Sequence, residues 1–366
     1  MKSNALVMTE YQGPLTVQSF DVPEPGAGAA VVKIKAATIC GTDNHIYMGG
    51  FHPASKTPSI LGHEMVGEIV ALGEGRTLDV TGKPLSPGDR VIWAYAFCGQ
   101  CYYCAVAHQP TLCLNATQYG GRWDCSKFPY LLGGFSQYCY VLPQCHMVKV
   151  PEEIPSHWAS SASCALRTIM HAVHRAGDIR PHETVLIQGS GPVGLYGVAA
   201  ARALGARHVV CFGAPDDRLA VAGDWGAETT CNVTTSTPQD RKTLILDLTD
   251  GRGADLIFEC SGSHFAFEEG LDLVRPGGRY CIVGAGDPNP ITVKGTVFIN
   301  KQINLFGVRS AGIGFFLDAI QFLIRHRKDF DFERLFGNTY DLTQIPEAMK
   351  RMQELREIKP IVNPAQ

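Results

Sequence analysis

Thr184-Val185-Leu186-Ile187-Gln188-Gly189-Ser190-Gly191-Pro192-Val193-Gly194 is the stretch that decides the fold. An apolar, β-branched run ends in Gly-x-Gly-x-x-Gly, and an alanine-rich helical pattern follows as far as Gly205. In that strand–turn–helix context the glycines let the backbone approach a pyrophosphate, whose charge sits against the amides of a helix N-terminus. Taken alone, the motif equally suits a plain glycine turn, so its surroundings have to arbitrate. Short apolar runs at Val185–Gln188, Val209–Phe212, Thr229–Val233, Leu256–Glu259, Tyr280–Val283 and Leu305–Val308 read as strands. Helical patterns at Val193–Leu204, Asp217–Asp224, Gln239–Leu248 and His264–Val274 separate them, with a weak polar connection before the last. Parallel neighbours need a crossover, so this alternation predicts an α/β, doubly wound parallel sheet. Gly189, Gly191, Pro192, Val193 and Gly194 become candidate nucleotide contacts.

An acid is expected at the end of the second strand to hold the ribose of NAD, but Gly213 stands there. Asp216 and Asp217 come late, and Arg218 reads either as a coenzyme contact or as a solvated helix residue. NAD and NADP both remain open at this point.

Upstream the rhythm differs. Val31–Lys35, Gly67–Ala71, Asp89–Trp93 and Tyr138–Val141 are short strands broken by Gly and Pro, which predicts a β-rich, barrel-like first domain. A boundary falls near residues 155–165. The tail, Phe315–His326 and Pro346–Arg356, is helical and expected to return to the first domain. The 366 residues hold 35 acidic and 32 basic side chains, a net charge of −3 that offers no footprint for nucleic acid or anionic lipid. No apolar run is long enough to span a membrane and no signal-peptide core is evident, which predicts a cytoplasmic protein acting on small molecules.

Of 13 cysteines, four are clumped as Cys98-x2-Cys101-x2-Cys104-x8-Cys113. Four thiolates in one loop match the closed tetrahedral cage of a structural zinc. Cys40 and His63, with Cys164 further on, suit a three-ligand zinc that keeps a fourth position for substrate. Each residue alone has a bland reading as core or packing; together they point to metal.

Cys40-Gly41-Thr42-Asp43, Gly62-His63-Glu64, Gly88-Asp89-Arg90-Val91, the four-cysteine lobe, Gly133–Tyr138 and the fingerprint at 189–194 together resemble the zinc-dependent medium-chain alcohol dehydrogenase family over nearly the whole chain. The resemblance implies a GroES-like catalytic domain at 1–160 and 309–366, a Rossmann coenzyme domain at 161–308, and an active-site cleft between them. It implies two zinc ions per chain. Cys40, His63 and Cys164 would hold the catalytic one, with Glu64 able to visit it; Cys98, Cys101, Cys104 and Cys113 would hold the structural one. Asp43 would orient the histidine ligand, Thr42 would touch the substrate oxygen, and His45 would release the proton to solvent. Thr168, Val283, Gly213 and Arg218 join the coenzyme contacts.

The eight-residue spacer before Cys113, the long hairpin Arg76–Leu85 and the aromatic insertion Gln118–Tyr130 are similar to a bacterial branch that includes enzymes of 5-exo-hydroxycamphor oxidation and phosphonate catabolism. That likeness favours NAD over NADP. The expected reaction is reversible oxidation of a primary or secondary alcohol to an aldehyde or ketone. Trp93, Tyr95 and Tyr119 are candidate pocket residues, favouring an apolar or cyclic alcohol. A polyol or threonine dehydrogenase of the same family is the main alternative; a non-enzymatic nucleotide-binding scaffold and a zinc-free enone reductase fit the cysteines less well. A homodimer or homotetramer is expected, with the edge near Asn304–Val308 as a contact.

Overall fold

A computed structural model describes residues 1–50, 54–284, 286 and 289–365. The chain divides into two compact units, one of Met1–Arg167, Ala311–Arg327 and Phe336–Gln366, the other of Thr168–Ser310 and Lys328–Leu335.

In the second unit, strands Thr184–Gln188, His208–Gly213, Thr229–Asn232, Ala254–Glu259, Val274–Ile282 and Asn304–Gly307 form one parallel sheet. Numbered by their order in the chain, the strands run 3-2-1-4-5-6 across the sheet. Neighbouring connections therefore leave in opposite directions from the first and fourth strands, Thr184–Gln188 and Ala254–Glu259. That switch point is where such sheets receive ligands, outside the carboxyl ends of the strands. Helices Pro192–Ala203, Asp216–Asp224, Pro238–Leu248 and His264–Leu273 make the crossovers. The expected weak connection contains a short helix, Thr296–Lys301, tied down by Lys301 Nζ, which donates to the carbonyls of Leu271, Asp272 and Val274 at 2.8, 2.8 and 3.0 Å.

Three limits differ from the sequence expectation, one of them only by residues 309–310, which go with the second unit. Residues 161–167 go with the first unit. The segment Lys328–Leu335, expected in the catalytic domain, goes with the second, because Phe330 and Phe332 pack on Trp225 and Phe332 on Tyr196, while Trp225 Nε1 donates to Asp331 O at 3.2 Å. Aromatic burial outweighs chain continuity there.

The first unit is built on a seven-stranded sheet. Along Phe336–Tyr340, Lys359–Val362, Ala30–Thr38, Glu64–Leu72, Arg90–Trp93 and Met147–Lys149 each strand bonds the next, and Tyr138–Val141 also pairs with Ala30–Thr38. A second sheet joins Leu15–Asp21, Lys2–Met8 and Ser59–Ile60. The tail thus supplies strands as well as the helices Ile313–His326 and Ile345–Gln353. The core carries Val32, Ile34, Ile69, Val91, Phe135 and Val141, all at most 1% exposed. The hairpin Arg76–Leu85 is closed by Asp79, whose carboxylate accepts from Thr81 N, Thr81 Oγ1 and Lys83 N at 2.8, 2.7 and 3.0 Å.

Candidate functional site

Three local devices in the first unit converge on one cluster. Cys40 precedes the short helix Gly41–Tyr47, and its N–H donates to Asp43 Oδ2 at 2.9 Å. His63 follows Gly62, which has φ +84 and leaves no room for a side chain, since a Cβ would lie 2.6 Å from the Phe135 ring. Glycine alone adopts that conformation readily. Cys164 sits in a π-turn, Ala162–Leu166, between two helices. Such turns place side chains at functional sites. The turn is tied to the Glu64 strand by Ser163, whose Oγ accepts from Met65 N, and by Ser160, whose Oγ donates to Glu64 O.

The ligand atoms of Cys40, His63, Glu64 and Cys164 all lie within 4.8 Å of one another. His63 Nε2 is 3.5 Å from Cys164 Sγ, and on the other side of the ring Nδ1 faces Asp43 Oδ1 at 3.3 Å. Asp43 is fully buried and also accepts from Gly62 N at 3.1 Å. A ring with Nδ1 on a carboxylate presents Nε2 as a ligand.

The electrostatics fit a cation. Hydrogen bonding from the Cys164 thiol, outweighing burial, holds Cys40 well below the ordinary thiol value, and the same contact with burial pushes Cys164 well above it. Burial works against a charged ring at His63, yet Asp43, Tyr95 and the two sulfurs outweigh it and raise its pKa. Glu64, fully buried, is pushed up to about 7 by desolvation despite the opposing charge of Lys359. Its Oε2 meets Lys359 Nζ at 2.5 Å and accepts from Thr38 Oγ1 at 2.6 Å, while its Oε1 is buried with no partner. Two soft sulfurs, one imidazole nitrogen and an orphaned carboxylate oxygen fit a zinc with an exchangeable fourth position.

Lys359 is itself 1% exposed, and its pKa is raised by Glu64 and the sulfurs against the cost of burial. Removing one member of such a pair leaves a buried uncompensated charge, so Lys359→Met is expected to destabilise the metal-depleted protein by about 3 kcal/mol. Urea unfolding measures this, and Lys359→Met combined with Glu64→Gln should recover most of it.

Cys98, Cys101, Cys104 and Cys113 form a second cluster with sulfurs within 4.8 Å of one another. Cys113 Sγ is 3.5 Å from Cys98 Sγ and 3.9 Å from Cys101 Sγ. Backbone N–H groups of Gln100 and Cys101 lower Cys98 to about 6, and desolvation with the neighbouring Cys113 pushes Cys104 up to about 12. The eight-residue spacer between Cys104 and Cys113 contains a 3-10 turn at Pro110–Leu112.

In the second unit the fingerprint forms a cradle. A Cβ on Gly194 would lie 1.8 Å from Gly189 O, so helix and strand approach as closely as only glycine permits, while at Gly191 the same position is open for 4 Å. The ribose acid is absent for a steric reason as well: a Cβ on Gly213 would meet Ser190 Oγ at 2.4 Å. Asp216 instead accepts from Asn232 Nδ2, and Asp217 from the Arg218 N–H. Arg218 is 6% exposed, its pKa lowered by burial against the pull of Asp217, so it is no solvated helix residue.

Residues 26–152 match the alcohol dehydrogenase GroES-like domain and residues 192–325 the zinc-binding dehydrogenase domain. The chain is 35% identical to L-threonine 3-dehydrogenase of Pyrococcus horikoshii over 84% of its length and 83% of that protein. It is a zinc-dependent medium-chain alcohol dehydrogenase. Identity to 5-exo-hydroxycamphor dehydrogenase of Pseudomonas putida is 29%, covering 99% of this chain and 98% of that one. An alcohol dehydrogenase of Thermotoga maritima superposes with a TM-score of 0.93 at 32% identity, covering 99% of both chains. Like its family, this dehydrogenase uses NAD or NADP to interconvert an alcohol and a carbonyl compound.

Of the expected pocket residues, Tyr119 belongs to the core. It is 1% exposed, its hydroxyl donates to Tyr140 O and accepts from Leu142 N, and Trp93 packs edge-on against it. Tyr95 is half-buried and electrostatically coupled to His63. Arg167, which sequence reasoning passed over, lies 5.7 Å from the Tyr95 ring and 4.7 Å from the Phe316 ring, with Nε donating to Ser163 O. Thr42 and His45 stand half-buried in the helix Gly41–Tyr47. Lys359 was missed too, since nothing in Lys359-Pro360-Ile361-Val362 announces a strand bringing an ammonium against Glu64.

Proposed function

We propose that Cys40, His63 and Cys164 bind a catalytic zinc in this dehydrogenase, with Glu64 as an exchange ligand, and that Cys98, Cys101, Cys104 and Cys113 bind a structural one. The observation that carries the reading is the convergence of two sulfurs, a ring nitrogen oriented by Asp43 and a buried orphan carboxylate oxygen on one point. When bound, the ion supplies Lewis acidity at an open coordination position. Asp43 fixes the His63 tautomer, Thr42 holds the alcohol hydroxyl proton, and His45 passes it to solvent, a task suited to imidazole. Asp43→Ala is expected to weaken zinc affinity at this cluster about 10–100-fold, measured by competition with a chromogenic chelator.

Gly189, Gly191, Pro192, Val193, Gly194, Gly213, Arg218 and Val283 form the coenzyme cradle in this reading, with Thr168 beside the nicotinamide. NAD is the coenzyme we assign, because the single cation among residues 213–218 is buried. The substrate is a primary or secondary alcohol. With Tyr119 withdrawn into the core, Tyr95 is the expected pocket residue that stays half-buried, and a polyol or threonine dehydrogenase of the same family is the second reading. Oxidation of an alcohol panel with NAD and NADP, run beside zinc analysis, tests the reading. Two zinc per chain and NAD-linked turnover support it; one zinc and no turnover leave only the lobe.

The strand Asn304–Gly307 lies at the edge of its sheet and is the contact we assign to a homodimer or homotetramer. Every cysteine is a free thiol and no described helix is long and apolar enough to cross a membrane, which supports a cytoplasmic location.

A further inference from the structure

Glu259 ends the strand Ala254–Glu259, level with Gln188 on one side and Ile282 on the other. That is the carboxyl edge of the sheet at its switch point. The side chain is nevertheless 2% exposed. Its Oε1 accepts from Ser261 N, Ser261 Oγ and Gly262 N at 2.7, 2.5 and 2.8 Å. Its carbonyl accepts from Val283 N and Gly284 N, both at 2.8 Å. One residue therefore sets the loops after the fourth and fifth strands, and the first of them packs on the fingerprint, since a Cβ on Gly189 would meet Ser261 N at 2.8 Å.

Oε2 is used differently. All three of those bonds fall on Oε1 and none on Oε2 among the described residues, and Oε2 faces Gly284, where a Cβ would lie 2.7 Å away. Burial raises the pKa of the carboxyl, while the Ser261 hydroxyl and the N–H groups of Gly262 and Ser261 oppose that by favouring the anion. A buried carboxylate with one oxygen open toward the ligand edge of the sheet is costly unless something there repays it.

The fold gives the direction of the coenzyme. The pyrophosphate belongs at Gly189–Gly194, and the adenosine half runs over the second strand, ending at Gly213; the nicotinamide half then runs the other way, over the fourth and fifth strands. Glu259 ends the fourth. The nicotinamide ring is a cation in the oxidised coenzyme and neutral once hydride has reached C4.

We propose that Glu259 discriminates the redox state of the coenzyme: its buried carboxylate at the switch point shifts the relative affinity of this dehydrogenase toward the oxidised, cationic nicotinamide. The proposal rests on the coenzyme cradle assigned above. Removing a unit charge near the ring should cost the oxidised form about tenfold in affinity and the reduced form little.

Calorimetric titration of the zinc-loaded protein with NAD+, NADH and ADP-ribose tests this, with NADP+ and NADPH as a parallel pair. In Glu259→Gln the ratio of the NAD+ to the NADH dissociation constant should rise about tenfold, with ADP-ribose binding within about twofold of the unsubstituted protein. Glu259→Asp keeps the charge and should keep the ratio, even where its shorter side chain weakens all three ligands. Equal weakening of NAD+ and NADH in Glu259→Gln, or no change in either, would overturn the charge role. Failure of the unsubstituted protein to bind any of these ligands would instead overturn the cradle assignment itself, and the proposal with it.

Discussion

Cys40→Ser is expected to lower kcat/KM for alcohol oxidation by at least about a thousandfold and to reduce the zinc content from two ions per chain to one. Lewis-acid stabilisation of developing charge is worth several kcal/mol, and each 1.36 kcal/mol is a factor of ten. Serine preserves the size of the side chain but not the soft anion. Cys40 is the sulfur whose ionised form the Cys164 thiol and His63 favour against burial, while Cys164 is pushed the other way, so the substitution removes the more readily ionised of the two thiol ligands. The fold should survive, because the Cys40 N–H still donates to Asp43 and helix Gly41–Tyr47 keeps its start. Elemental analysis, circular dichroism and steady-state kinetics read the three parts separately. A folded Cys40→Ser protein with two zinc ions and unimpaired hydride transfer would refute the ligand assignment.

The other large effect concerns the lobe. Cys113→Ala should abolish the structural zinc and make the segment 98–113 open to proteases at least about a hundredfold faster. This lobe has no apolar core to fall back on: neither the helix Tyr102–Ala105 nor the turn Pro110–Leu112 contains a buried residue, and Tyr102, Val106 and Leu114 are 65%, 64% and 75% exposed. Structural zinc contributes roughly 10 kcal/mol or more in comparable small sites, and under 3 kcal/mol of lost local stability suffices for the hundredfold change. Limited proteolysis with mass spectrometry locates the cut. Cleavage at wild-type rates with one zinc missing would show that backbone hydrogen bonds alone hold the segment.

Several parts of the fold were legible because the physics behind them is local. The fingerprint at 189–194 works through backbone sterics and a helix terminus, both properties of adjacent residues. Thr184–Gln188, His208–Gly213 and Ala254–Glu259 were visible because they are buried on both faces and read as continuous apolar runs, while the partly exposed edge strands Thr229–Asn232 and Asn304–Gly307 were legible from their place in the strand–helix alternation. The lobe cysteines announce themselves by spacing, since a tetrahedral cage built from one loop constrains the sequence directly. Where long-range packing decides, local reading failed. Tyr119 looked like a pocket residue, yet its hydroxyl finds partners at Tyr140 and Leu142 and its ring is enclosed. The segment Lys328–Leu335 followed its chain neighbours on paper, but the Trp225 cluster takes it.

The amino-acid sequence by itself determined the class of fold, the four-cysteine cluster, the candidate ligands Cys40, His63 and Cys164 and the dinucleotide motif, because each shows in residue type and in its immediate neighbours. Tertiary structure alone decided the company those residues keep: Lys359 beneath Glu64, Arg167 against Tyr95, and Glu259 at the switch point. The physical reason is that a buried charge is tolerable only beside a particular partner, and in this chain Glu64 finds its ammonium 295 residues away, on a strand added from the far end.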